Sequence, residues 1–206
     1  MSRSPGAWAA SLLVGLAAIS LWNARAYPPD GGYDAAQHIE YAELLTREGR
    51  IPGPERRSEY YTPPLFYAVA GEATRLGEAA GLGDPRKAAQ GVNALLAIGT
   101  ALLTLLLART LWPGRALLHV AALAFLAFLP VVAKTTAMYH PEPLSLFLST
   151  AGLVLAARML ARRSFGRLAA VALGVTLGAG QLVRAFSLWT FAVVVLTFLA
   201  AALARR

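Results

Sequence analysis

The sequence predicts an all-α fold, a polytopic membrane protein built as a bundle of about six transmembrane helices with one long polar outer loop. Hydrophobic residues make up 57% of the 206 residues and charged residues only 15%. A soluble domain usually has about a quarter of its residues charged. Several long apolar runs carry few or no charges, as bilayer-spanning helices require. Arginine residues lie at the ends of these runs, a position that reports topology.

The apolar runs define the predicted spans. They cover about residues 7–22, 88–108, 116–132, 144–160, 168–183 and 187–204. The first run ends in Ala24-x-Ala26, which is also the pattern of a signal-peptide cleavage site. We favour an uncleaved first helix, because a multi-span protein uses that helix for packing, and a cleaved signal is the alternative. In both cases the following loop lies outside.

The outer loop, about residues 27–87, carries most of the acids and is predicted to form two short helices. Asp34 lies at an N-cap position with Gln37 three residues later, the pattern of a capping box. The next apolar residues recur at helical spacing up to Glu48, which predicts an amphipathic helix on the membrane surface or on neighbouring spans. A second helix is predicted from Pro63-Pro64, with Thr62 as its cap.

The distribution of Lys and Arg predicts the orientation. The short outer turns contain only Lys134 and Arg184, whereas the long outer segment, counted from Arg25 to Lys87, contains eight basic residues beside ten acids. Long loops cross a membrane largely regardless of charge. A cytoplasmic N-terminus and an extracytoplasmic first loop follow. The basic residues on the predicted inner side are Arg3, Arg109, Arg115, Arg158, Arg162, Arg163, Arg167, Arg205 and Arg206.

Composition also excludes some classes of function. The chain has no cysteine, so disulfides, thiolate metal sites and a cysteine nucleophile are excluded. The net charge of +8 comes from arginines at span ends, which is a topology signal rather than a nucleic-acid-binding stripe. We therefore expect no nucleic-acid partner. The sequence leaves the oligomeric state open.

Polar residues from three separate outer segments are predicted to meet at the membrane boundary, as a site for a lipid-borne substrate would require. A carboxylate there can act as a general base, and a guanidinium or ammonium can bind phosphate. The candidates are Asp34, His38, Tyr61, Lys134, His140, Glu142 and Arg184.

Each candidate also has a structural interpretation. Asp34 can serve only as a helix cap, and His38 can be a solvated histidine on an exposed helix face. Lys134 and Arg184 can extend to the interface as membrane-flanking cations, and Tyr61 can belong to an aromatic belt. His140 and Glu142 are two potential ligands of a divalent metal, which is too few to predict a metal site. We therefore predict no cofactor.

The order of motifs resembles the GT-C superfamily of membrane glycosyltransferases. The motifs are Tyr33-Asp34 with the helix that follows it, Gly49-Arg50-Ile51-Pro52, and Tyr61-Thr62-Pro63-Pro64-Leu65. The similarity is greatest to the protein O-mannosyltransferases and the bacterial lipid A aminoarabinose transferase. It extends more loosely to Tyr139-His140-Pro141-Glu142-Pro143 and to Gln181-Leu182-Val183-Arg184.

The resemblance implies an inverting glycosyltransferase of the bacterial cytoplasmic membrane. The donor would be a sugar on a polyprenyl phosphate, and the acceptor a lipid, a glycan or a protein on the outer face. Asp34 would act as the base, and Arg184, with Lys134 as a weaker candidate, would hold the lipid phosphate. His38, Tyr61, His140 and Glu142 would line the substrate pocket.

Two differences from the family pattern are visible. Many members have a second acid after the aspartate, where this chain has Ala35, so a two-acid or metal-bridging role is not expected. Members also usually have more spans, so residues 1–206 are expected to form the N-terminal transmembrane part of such an enzyme. The alternative class is a non-enzymatic membrane protein. A transporter or flippase would place polar residues at mid-span on facing helices, and a scaffold subunit would use the outer loop to bind a partner.

Overall fold

The computed structural model describes residues 4–55 and 59–204, and these contain nine α-helices and no strand. Arg3, Arg205 and Arg206, which the sequence assigns to the inner side, lie outside the described residues. The helices are α1 (Pro5–Ala26), α2 (Ala35–Glu48), α3 (Leu65–Ala79), α4 (Lys87–Leu111), α5 (Ala116–Ala127), α6 (Pro130–Ala137), α7 (Glu142–Ala161), α8 (Arg167–Gln181) and α9 (Ser187–Leu203).

Three of the described helices, α1, α4 and α7, are long and apolar enough to cross a membrane. Each extends past the predicted span by one to four residues at each end. The all-helical class expected from the sequence is therefore confirmed for the described residues, and three of these helices are candidate membrane spans.

The predicted span over residues 116–132 is not one continuous helix. It divides into α5 and α6, whose axes differ by 52°. Pro130 is the first residue of α6, and a proline has no N–H to continue the preceding helix. If the bent pair is counted as one span, the described residues contain up to four.

The last two predicted spans are shorter than a bilayer requires. α8 has 15 residues and α9 has 17, which gives lengths of about 22 and 26 Å, against a hydrocarbon core of about 30 Å. The count of six spans is thus not confirmed.

Small residues allow α4 to pack closely in the centre of the bundle. Ala94 and Ala101 are fully buried on α4, and α4 packs against α1 and α7. A Cβ on Gly99 of α4 would lie 2.8 Å from the Phe147 ring of α7. Small residues at helix interfaces are the usual means by which membrane helices approach each other.

The two helices in the long loop begin close to their predicted positions. α2 ends at Glu48 as predicted, with Gly49 in the left-handed conformation that closes many helices. Asp34 occupies the N-cap position, but its φ is 49° and its side chain makes no capping hydrogen bond, so the predicted capping box is absent. α3 begins at Leu65 with Pro64 at the N-cap, two residues later than the prediction that Thr62 caps it.

Two side chains at the start of α4 bind the C-terminal ends of α1 and α6. The Lys87 ammonium donates to the carbonyls of Ala24, Arg25 and Tyr27. The buried Gln90 amide donates to the carbonyls of Tyr27 (3.1 Å) and Ala137 (2.6 Å). Ala24 of the candidate cleavage site is itself buried, and this packing favours a first helix that is retained.

Two ends of the bundle can now be distinguished. We call one the loop end, which carries residues 27–34, 59–64, 138–141 and 182–186. There the Leu65 N–H donates to the Leu182 carbonyl at 2.9 Å, joining α3 to the end of α8. The other is the arginine end, which carries residues 112–115 and 162–166. The last turns of α4 and α7 lie side by side there.

A polar cluster at the loop end is the candidate functional site

Two histidines from distant segments meet at the centre of the cluster. His38 lies on α2 and His140 precedes α7, and both are buried, with 1% and 7% exposure. Their ring centroids are 4.9 Å apart with an edge-to-face geometry. The suggestion that His38 is a solvated surface residue is therefore wrong, because α3 covers it with Phe66 and Tyr67.

Hydrogen bonds orient both rings. His38 Nδ1 and the hydroxyl of Tyr67 share a hydrogen bond of 2.9 Å. The backbone N–H of Glu142 donates to His140 Nδ1 at 3.3 Å, which leaves the proton of a neutral His140 on Nε2. Tyr67 also stacks on Tyr41 with ring centroids 3.7 Å apart, so the phenol that orients His38 is itself held by packing.

Burial keeps the histidine pair neutral at physiological pH. Burial, and then the charge of Arg184, lower the pKa of His38 to about 4. Burial, then His38, and then Arg184 lower the pKa of His140 to about 3. Burial also raises the pKa of Tyr67 far above its usual value. The cluster therefore presents neutral imidazole and phenol groups beside one permanent positive charge.

That positive charge belongs to Arg184, in the turn between α8 and α9. Its Nε lies 3.1 Å from a carboxylate oxygen of Glu142, and its side chain is only 16% exposed. The contact is close enough for an ion pair, but its angles are not those of a hydrogen bond, and the buried Nε has no hydrogen-bond partner. The amide nitrogen of Gln181, one turn earlier, is also buried without a partner.

A second acid lies beside the cluster and was not among the residues predicted from the sequence. The carboxylate of Glu59 is buried and accepts hydrogen bonds from the hydroxyls of Tyr61 (2.9 Å) and Thr62 (3.0 Å). The hydrogen bond to Glu59 is the main cause that raises the pKa of Tyr61, and burial raises it further. Tyr61 itself is 69% exposed, so its ring is available to a ligand.

Asp34 lies at the exposed edge of this cluster, at the start of α2. Its carboxylate raises the pKa of Tyr61 and Arg184 lowers it, both as smaller contributions than Glu59. Asp34 and Arg184 therefore both lie within electrostatic reach of the Tyr61 hydroxyl. No hydrogen bond or ion pair holds the Asp34 carboxylate among the described residues.

Lys134 takes a position different from the other candidates. Its ammonium bonds the hydroxyl of Tyr33 and lies 3.9 Å from the centroid of that ring. It thus contacts the residue before Asp34 rather than the histidines or Arg184. This cation links α6 to the loop that carries Asp34, and no contact in the described structure joins it to the rest of the cluster.

The structure thus brings six of the seven candidates together and adds three residues. The sequence did not predict Tyr67, Glu59 and Gln181 as site residues. Nothing in their local sequence indicates that they lie beside the histidines and Arg184. No group of three or more metal-ligating side chains occurs in residues 4–55 and 59–204. The Nδ1 of His140 accepts a hydrogen bond from the backbone N–H of Glu142.

The fold and the cluster together define a class: a helical protein with candidate membrane-spanning helices and a buried polar site, which contains an ion pair of Arg184 and Glu142, at one end of its bundle. Comparisons with protein families, with curated proteins and with solved structures give no match to this chain. The function must therefore be inferred from the geometry of the site.

Proposed function

We propose that the chain is the N-terminal transmembrane part of a GT-C-type glycosyltransferase, which transfers a sugar from a polyprenyl phosphate to an acceptor outside the cell membrane. In this proposal the loop end faces the outside of a bacterial cytoplasmic membrane and the N-terminus is cytoplasmic. α8 and α9 complete six spans, and α2 and α3 lie at the membrane surface.

The proposal rests on one observation, which is the presence of two buried donors without hydrogen bonds at the ion pair of Arg184 and Glu142. The Nε of Arg184 and the amide nitrogen of Gln181 are both buried without a hydrogen-bond partner. Unpaired buried donors are costly, and an anion with several acceptor oxygens would satisfy them. A phosphate monoester or diester has such oxygens, and a guanidinium is well suited to bind it.

The neutral histidines suit a site that releases a charged lipid. Because His38 and His140 stay neutral, they can donate or accept hydrogen bonds without adding a second fixed charge that would retain the product. The edge-to-face pair lies within electrostatic reach of the Arg184 guanidinium, whose charge lowers the pKa of both rings.

Asp34 is free to act as the base. Its side chain makes no capping hydrogen bond, and it is exposed at the edge of the cluster. In the proposed step it removes the proton from an acceptor hydroxyl, while the hydroxyl oxygen attacks the anomeric carbon. The bond from that carbon to the phosphate oxygen breaks with inversion, and the phosphate leaves with the bonding pair, stabilised by Arg184.

The alternative of a transporter has less support. Polar groups at mid-span would have to face a translocation path. The hydroxyls of Thr100, Thr150 and Thr176 instead donate to carbonyls of their own helices, four residues earlier. These threonines are thus satisfied within their helices.

The decisive test is Asp34→Asn in the full-length enzyme, assayed by transfer from a radiolabelled polyprenyl-phosphate sugar. Asparagine tolerates the left-handed conformation at least as well as aspartate, and no capping bond is lost. We expect turnover to fall by about 10²- to 10⁴-fold, the usual contribution of a general base. Asp30→Asn, an exposed acid in the same loop, is the matched control and should retain activity. Equal activity of the two variants would remove Asp34 from catalysis.

A further inference from the structure

An apolar groove runs along the bundle at the arginine end. It has a volume of about 540 Å³ and lies between α4, α7 and α9. Its floor is formed by small residues of α7, Ala156 and Ala157, and its walls are mostly leucine and valine. The two threonines that line it, Thr110 and Thr197, donate their hydroxyls to their own helices. The groove therefore offers a hydrocarbon surface with no free polar donor.

The same end of the bundle has a positive charge with no counter-charge. Six arginines lie on the last turns of α4 and α7, in the turns that follow, and at the first residue of α8. From residue 85 onward the only acid in the sequence is Glu142, which lies at the loop end beside Arg184. No carboxylate pairs with these six guanidinium groups in the described part of the chain. They are Arg109, Arg115, Arg158, Arg162, Arg163 and Arg167.

Aromatic residues mark the depth of this end in a membrane. Trp112 and Phe165 lie in the two turns among the arginines and are 44% and 46% exposed. Exposed aromatic rings at span ends are typical of the boundary between hydrocarbon and headgroups. The groove beside them, which reaches Leu111 and Ala161 in the last turns of α4 and α7, would open at the same depth.

We propose that the groove, together with the six arginines named above (the arginine rim), binds an anionic phospholipid of the surrounding bilayer. One acyl chain lies along α7 between α4 and α9, and the headgroup phosphate meets the guanidinium groups at the ends of α4 and α7. Basic pockets between transmembrane helices are known to bind anionic headgroups. A zwitterionic lipid fits the groove equally well but brings a cationic group to the arginines, so the charge of the rim sets the preference.

This site is independent of the proposed glycosyl transfer, because none of its residues belongs to the cluster at the loop end. The lipid-binding proposal holds if the glycosyltransferase proposal is wrong, and it can be wrong without affecting the glycosyltransferase proposal. An acyl chain held between α4, α7 and α9 would also cover the wall of α9, whose Val194 and Thr197 line the groove.

The test is lipid selectivity of the chain in nanodiscs that contain equal amounts of phosphatidylglycerol and phosphatidylcholine. Lipids that remain bound are counted by native mass spectrometry. Arg109→Gln and Arg162→Gln should each lower the preference for phosphatidylglycerol by about fivefold, since one cation near an anionic surface contributes about that factor. Arg47→Gln and Arg75→Gln, which remove exposed cations from α2 and α3, should leave the preference unchanged.

A second arm tests the acyl chain. Ala157→Phe should fill the groove and remove the retained lipid of either type, with all charges intact, and Thr197→Trp on α9 does the same if the first variant does not fold. Soluble glycerol phosphate should not displace the lipid. The proposal is wrong if the Arg→Gln variants keep the phosphatidylglycerol preference, if the control pair lowers it equally, if both groove variants retain the lipid, or if glycerol phosphate competes.

Discussion

Acidification should destabilise the protein through its buried histidine pair. In the folded state the pKa values of His38 and His140 are lowered to about 4 and about 3, whereas in the unfolded chain both are near 6.5. Below pH 6.5 the unfolded state therefore binds more protons than the folded state, and the free energy of unfolding falls. The stabilisation is complete above pH 6.5 and is lost as the pH falls towards these folded values.

The size of the effect follows from linkage. Each histidine that stays neutral while its unfolded counterpart is protonated costs about 1.4 kcal/mol per pH unit. From pH 6.5 to pH 5 this amounts to about 2 kcal/mol for one histidine and about 4 kcal/mol for the pair. Most exposed carboxylates still carry their charge at pH 5, so the histidines dominate in this window.

The measurement is chemical unfolding in detergent micelles at pH 7.5, 6.5, 5.5 and 5.0. His38→Asn and His140→Asn keep a polar atom near the position of Nδ1, and each should remove about half of the pH dependence. The third histidine of the chain, His119, contacts the Trp112 carbonyl at 2.8 Å at the arginine end, so His119→Asn is the matched control. If the variant with both buried histidines replaced loses as much stability as the wild type, the pair is not the acid-sensitive element.

Two further predictions concern packing and buried amides, and thermal unfolding in micelles measures both. Gly71→Ala would place a Cβ 2.4 Å from a side-chain carbon of α2, so we expect a loss of about 1–3 kcal/mol. Gly91→Ala enters open space and should be neutral or slightly stabilising; equal effects would contradict the close approach of α2 and α3. Gln90→Leu leaves the buried Ala137 carbonyl without this donor, while the Tyr27 carbonyl keeps the Lys87 ammonium, and should cost about 1–3 kcal/mol. A neutral result would mean that another donor replaces the amide.

The fold class could be predicted from the sequence because the transfer of a helix into the bilayer depends on its composition and on the length of its apolar run. The bounds of α2 were accessible for a similar reason, since its apolar spacing and Gly49 are local signals. Pro130 is also a local signal, and it divides the apolar run of residues 116–132 into α5 and α6 because a proline cannot continue the preceding helix. The apolar runs at residues 168–183 and 187–204 predicted the bounds of α8 and α9 to within two residues, but both helices are shorter than the hydrocarbon core of a bilayer, so their lengths did not support counting them as spans.

The site was only partly predictable because its central contact is not local. His38 and His140 are separated by 101 residues in the sequence, and nothing in either segment indicates that their rings touch. The exposure of His38 was misjudged because α2 is amphipathic on its own, whereas α3 covers the face that carries this residue. The contact of Arg184 with Glu142 joins the turn after α8 to the start of α7, and no local pattern in either segment indicates it.

The left-handed conformation of Asp34 bears directly on how its role is tested. A residue with φ of 49° pays a conformational cost that aspartate and asparagine tolerate better than most others. If capping explained the aspartate, its side chain would accept from an N–H of α2, and it does not. The conformation instead keeps the carboxylate at the start of α2 and free of the backbone, within electrostatic reach of Tyr61. The two roles therefore no longer compete in the structure, and a loss of activity in Asp34→Asn would report the base and not a weakened helix.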